Sequence, residues 1–279
     1  MTQKTTFDKI ADVVMPLIVY LFIMLFAQAG FTIFVMVMQV NNVNIDGVAT
    51  YSDSLGFVEN MNKIIVENSL LVTFISAVVA IPILIYMFKK ENGSLSTKKI
   101  NNSIWYTIPV GVLASVGISK LVTILPIDGV IGNYSEISSN VMANNIWLQI
   151  VTLIILGPFM EELLFRGLIY NRLKKISDSS IAAYVSAIIF GVYHLNLVQG
   201  IYTFIIGILL VFVYEKYNSL WAPYMLHMAA NAMAVIINYL PISVKINNYW
   251  YIKLPVMIIE VAILAMVVYK FMYKKNTDN

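Results

Sequence analysis

Between residues 13 and 38 the chain carries no charged side chain. A helix needs about 20 consecutive apolar residues to cross a hydrocarbon core of roughly 30 Å, and this run is long enough by itself. Further apolar stretches follow at 64–88, 104–125, 146–170, 180–195, 198–214, 220–240 and 251–273. The expectation is an all-α polytopic membrane protein with about eight transmembrane helices. Short loops and the absence of an internal repeat or soluble insert predict a single membrane domain over 1–279. Composition agrees: 59% of residues are hydrophobic and 12% charged, against about 45–50% and about 25% in soluble domains. That balance excludes a soluble globular enzyme and a disordered chain. The lipid bilayer is the first expected partner, and a net charge of +3 gives no footprint for nucleic acid.

The first apolar run resembles a secretory signal at one point, where Lys4 and Lys9 precede it and Ala27-Gln28-Ala29 mimics a cleavage site. A cleaved signal has a shorter apolar core and then turns polar. This run continues to Met38, so an uncleaved span is expected. Loop cations set orientation. On an eight-span reading fourteen Lys and Arg residues fall on one side, in the N-terminal tail, around 89–99, around 166–175, at Lys216 and at the C-terminus. Three face the other side: Lys63, Lys245 and Lys253. The asymmetry predicts a multi-pass plasma-membrane protein with both termini cytoplasmic.

Ionisable groups inside spans are costly and mark function by default. Here they are Glu67, Lys120, Glu161, Glu162, Arg166, His194, His227 and Glu260. Glu67 and Lys120 lie near the outer ends of their spans, where they can pair or snorkel. Glu260 is a lone carboxyl in the last span. The other five cluster in spans four, five and seven. Glu162 and Arg166 are four apart and stack on one helix face, which leaves Glu161 pointing about 100° away, a geometric consequence of 3.6 residues per turn. Pro158 lacks an amide hydrogen and loosens the backbone one turn earlier, where a kink can open a wet pocket. Phe190 lies one turn before His194 and can orient its ring. His227 and Asn231 are again four apart and share a face. A rise of ~1.5 Å per residue places His194 too far outward unless span five begins in the cytoplasmic interface, so its first turns are expected there.

With no cysteine in the chain, thiolate nucleophiles, thiolate zinc sites, iron–sulfur clusters and disulfides are excluded. A carboxylate, two imidazoles and an amide can still hydrolyse a peptide bond. Glu161 with His194 can take a proton from water, and His227 with Asn231 can bind the developing oxyanion. The same groups can instead hold zinc, with two histidines and one glutamate as ligands and water fourth. Against that, the sequence has no His-Glu-x-x-His helix. No cofactor is expected, with zinc the alternative.

Glu161-Glu162-x-x-x-Arg166, Phe190-x-x-x-His194 and His227-x-x-x-Asn231, in that order, resemble the three motifs of the CAAX-protease and bacteriocin-processing family, also called CPBP or Abi. The resemblance covers roughly 146–240, which it marks as the catalytic core. It implies an intramembrane endopeptidase, with Glu161 and His194 activating water and His227 and Asn231 forming the oxyanion hole; the family is described as glutamate-type in some members and as a metalloprotease in older naming, which leaves metal dependence open. Glu162 and Arg166 are then a structural pair and Phe190 a supporting residue. The implied substrate is a membrane-associated protein or peptide precursor, and bacteriocin self-immunity is a known role of some relatives. Two other readings compete. One is a non-catalytic membrane immunity or scaffold protein. The other is a proton-coupled transporter relaying through Glu161, His194 and Glu260, disfavoured because transporters usually carry internal repeats. Oligomeric state leaves no signature in the sequence.

Overall fold

The computed structural model describes residues 5–41, 51–95, 102–124 and 134–239. The expected eighth span, Glu260 and the C-terminal cations lie outside these residues, and so does the side chain of Lys120. The chain is all-α, with no β-strand among the described residues. The helices are α1 (Thr6–Asn41), α2 (Tyr51–Glu67), α3 (Ser69–Asn92), α4 (Thr107–Ile124) and α5 (Tyr134–Met142). They continue as α6 (Ile146–Leu173), α7 (Ser179–Tyr193), α8 (Leu197–Tyr217) and α9 (Trp221–Tyr239). Four of them, α1, α3, α6 and α8, are long and apolar enough to cross a membrane.

Two expected spans start elsewhere. The stretch at 64–88 is divided at Asn68, whose side chain donates to the Ile64 carbonyl at 2.8 Å. The polar residues before it form α2, and the apolar helix begins at Ser69. Glu67 therefore sits at the end of α2 and meets Lys63 one turn back, at 4.0 Å on an exposed face. Likewise, a 3-10 turn at Asn102–Tyr106 precedes α4, so the helix begins at Thr107 rather than residue 104.

Helix ends follow local chemistry. Asn145 caps α6 by accepting from the Trp147 amide at 2.9 Å, and Asn196 caps α8 by accepting from the Gln199 amide at 3.1 Å, as short polar side chains do at N-termini. At the other end of α8, Asn218 takes the left-handed conformation with φ 48°, which asparagine tolerates better than most residues. The α7–α8 turn is unusual because Leu195 adopts φ 54° while the residue is 88% exposed. A branched residue in that region is strained, and the turn it makes places His194 at the end of α7.

Small residues bring helices into backbone contact, as they do in membrane bundles. A Cβ on Gly111 of α4 would lie 2.2 Å from the Leu226 carbonyl of α9. One on Gly191 of α7 would lie 2.7 Å from the Gly200 carbonyl of α8. The core between α3, α6, α7, α8 and α9 contains Leu84, Leu164, Phe165, Phe190, Leu210 and Leu226, all nearly inaccessible. On α1, Phe22, Leu25, Phe26 and Phe34 point outward and are exposed, a face suited to lipid.

Candidate active site

Helix α6 is not a uniform α-helix. Two π-helical segments, Ile150–Leu156 and Leu163–Tyr170, flank a short α-helical turn at Gly157–Glu162. Such π insertions occur often at functional sites. The departure around Pro158 is thus a change of register. The Gly157 amide reaches back five residues to the Thr152 carbonyl.

Glu162 lies at the end of the α-helical turn and is 1% exposed, while Arg166 is fully buried. Their charged groups meet at 3.0 Å. Arg166 also donates from Nη2 to the Gly207 carbonyl of α8 at 3.1 Å, and its guanidinium rests over the Phe190 ring at 4.6 Å. A buried charge needs a partner and further hydrogen bonds; Arg166 finds hydrogen bonds on α6 and α8 and a ring face on α7, while its Nε and Glu162 Oε2 are buried without a hydrogen-bond partner. Phe190 therefore does more than sit beside His194: its ring covers the arginine, and its carbonyl lies 2.8 Å from His194 Nδ1. A carbonyl can only accept, so Nδ1 carries the proton and Nε2 keeps a lone pair in the neutral ring.

His227, from α9, is bracketed by both carboxylates. Nδ1 lies 2.9 Å from Glu162 Oε1, the oxygen that also accepts from Arg166. Nε2 lies 3.6 Å from Glu161 Oε2, a separation beyond a direct hydrogen bond. Glu161 is the more accessible carboxylate, with 17% of its side chain exposed. Asn231, one turn after His227, donates from Nδ2 to the Leu153 carbonyl of α6 at 2.8 Å.

Glu161, Glu162, Arg166, Phe190, His194, His227 and Asn231 thus converge from α6, α7 and α9. Aromatic rings surround them: Phe165 packs edge-on against Phe190 at 4.8 Å, and Phe190 and Tyr193 pack on His194 at 4.9 and 5.2 Å. The motif reading does not include Tyr20 of α1, which is 1% exposed and accepts a hydrogen bond from the Tyr193 hydroxyl at 3.1 Å. Tyr193 adjoins His194 in sequence and could have been noticed for that reason. Tyr20 lies 173 positions from Tyr193 and carries no local signal. Among the described residues, no three His, Asp or Glu side chains converge as a metal-ligand set.

Residues 143–233 match a family model described as type II CAAX prenyl endopeptidase Rce1-like. The chain is also 30% identical over 95 residues to the Bacillus subtilis (strain 168) protein named "Putative membrane peptidase YdiL". That alignment covers 34% of this chain and 39% of the relative, so the chain spans about two fifths of that protein. No solved structure matches. All seven converging residues fall inside the matched segment, and an all-α, lipid-suited bundle surrounds them, so residues 143–233 are similar to the type II CAAX prenyl endopeptidase Rce1-like family in the part of the chain that carries the site.

Proposed function

We propose that the protein is an intramembrane endopeptidase that hydrolyses a peptide bond in a membrane-associated protein or peptide precursor. The observation that carries this reading is the pairing of a partly accessible carboxylate, Glu161, with a buried Glu162–Arg166–His227 cluster at one site. The two adjacent carboxylates have different environments, and groups so separated can take different chemical roles.

Glu161 is the general base. It accepts a proton from water as the water oxygen bonds to the scissile carbonyl carbon. His194 orients that water through Nε2, since Nδ1–H is held by the Phe190 carbonyl. The carbonyl oxygen becomes an oxyanion and receives N–H bonds from His227 Nε2 and Asn231 Nδ2. Donation from both nitrogens requires the His227 ring to carry two protons. Glu161 and Glu162 are its counter-charges, and with Arg166 the cluster sums to zero, which suits an apolar surrounding. Collapse of the intermediate breaks the C–N bond, and the proton held by Glu161 passes to the departing amine. Eight spans with both termini cytoplasmic complete the proposal, supported by the distribution of cations along the chain.

The test is peptide release by reconstituted wild type and Glu161→Ala from a pool of membrane-tethered peptides, each with and without a strong chelator. The expected result is cleavage by the wild type, insensitive to chelator, and a loss of about 10²–10⁴-fold in the variant. Equal cleavage by both would remove Glu161 from the chemistry. Cleavage abolished by chelator and restored by zinc would make Glu161, His194 and His227 metal ligands. Binding of peptide without cleavage would favour the immunity or scaffold reading.

A further inference from the structure

The dipeptide Gly157-Pro158 changes which backbone donors are available to the carbonyls of α6. In α register the amide of residue 158 would serve the Ile154 carbonyl and that of Gly157 the Leu153 carbonyl. In the observed register Gly157 bonds instead to Thr152. The π donor for Leu153 would be residue 158, which is proline and has no N–H. The register shift therefore takes from the Leu153 carbonyl the Gly157 donor that α register would give it, and proline at 158 supplies no replacement. A buried carbonyl needs a partner, and the side chain of Asn231 supplies it at 2.8 Å. The shift also requires glycine at 157, because a Cβ there would lie 2.6 Å from the Thr152 carbonyl oxygen.

We infer that Gly157, Pro158 and the π turn before them form a positioning device for Asn231. The bare Leu153 carbonyl holds one N–H of the Asn231 amide and so fixes the plane of the group, leaving its second N–H for an acceptor in the site. This inference rests on the proposed hydrolytic reading for its catalytic consequence, while the anchoring of Asn231 is independent of any reaction. Pro158 acts only through Asn231 and touches no reacting atom.

Pro158→Ala restores an N–H that competes for the Leu153 carbonyl and releases Asn231. In reconstituted full-length protein, kcat for peptide release is expected to fall up to about 100-fold with KM nearly unchanged, at or below the roughly 10²–10³-fold cost of losing an oxyanion donor outright. In an Asn231→Ala background the same substitution is expected to have little further effect, because both act on one interaction. An α-hydroxy residue at 158, with an ester oxygen in place of the N–H, is expected to retain wild-type kcat. Equal losses in both backgrounds, or an ester as impaired as alanine, would overturn the proposal. Gly157→Ala provides a second variant with the same expected kinetics. The side-chain amide ¹⁵N resonance of Asn231 reads the anchor without catalysis. It is expected to shift in Pro158→Ala, and an unchanged signal would overturn the inference even in a protein that cleaves nothing. Conversely, a shifted signal with no wild-type cleavage would defeat only the hydrolytic reading.

Discussion

Arg166 and Arg172 lie less than two turns apart on the same helix, and their surroundings are opposite. Arg166 has no exposed surface and shares one oxygen of Glu162 with His227. Arg172, near the end of α6, binds Glu91 of α3 and the Asp12 carbonyl of α1. Around it Lys175 pairs with Glu91 at 3.4 Å and Lys174 with Glu215 at 2.7 Å, with 39–59% of each lysine side chain exposed. The inner cluster must be satisfied within the protein, because an uncompensated buried charge costs several kcal/mol. The outer cluster can exchange partners with water and is screened by salt. Similar residue types thus build a fixed electrostatic centre at one end of the comparison and a tie between helices at the other.

The contrast can be broken from its inner side first. Arg166→Met leaves Glu162 buried without its guanidinium and is expected to destabilise the fold by about 3–5 kcal/mol, read as a loss of detergent-stable monodisperse protein. Glu162→Gln is expected to act in the same direction. Well-folded, inactive Glu162→Gln beside active Glu161→Gln would reverse the roles assigned to the two carboxylates. An intermediate effect is expected at Tyr20. Tyr20→Phe removes the acceptor of the Tyr193 hydroxyl, and an unsatisfied buried donor costs about 1–3 kcal/mol. Thermal unfolding measures that cost, and a fall in kcat at unchanged KM would extend the site to α1. The smallest effect is expected outside. Arg172→Met should cost about 1 kcal/mol or less, and the difference from wild type should shrink as salt is raised. A salt-independent loss as large as that of Arg166→Met would erase the distinction between the two clusters.

Contacts within one helix turn were legible in the sequence. The Glu162–Arg166 pairing follows from a spacing of four, and so does the nearness of the Phe190 ring to His194, while the contact through the Phe190 carbonyl is seen only in the structure. The apolar runs likewise announced α1, α3, α6 and α8, because length and hydropathy alone govern whether a helix can span. Boundaries were less legible where an apolar run crosses a polar break. Asn68 separates α2 from α3 by turning its side chain onto the Ile64 carbonyl, a choice that composition does not record. The π register of α6 was half visible. Pro158 announced a disturbance, but whether it produces a kink or a π turn depends on the partner available for the freed carbonyl.

The sequence by itself determined that the chain is a helical membrane protein, that its chemistry-bearing residues are few, and which of them share a helix face. These are properties of composition and of 3.6-residue periodicity, and they need no knowledge of neighbours. Only the tertiary structure decided that His227 Nδ1 turns to Glu162 across 65 positions and that Asn231 reaches the Leu153 carbonyl across 78. It also brought Tyr20 from α1 against Tyr193. Those contacts depend on how helices dock, through close approaches such as Gly111 on Leu226 and Gly191 on Gly200. Docking is set by the fit of whole surfaces, which no local pattern encodes.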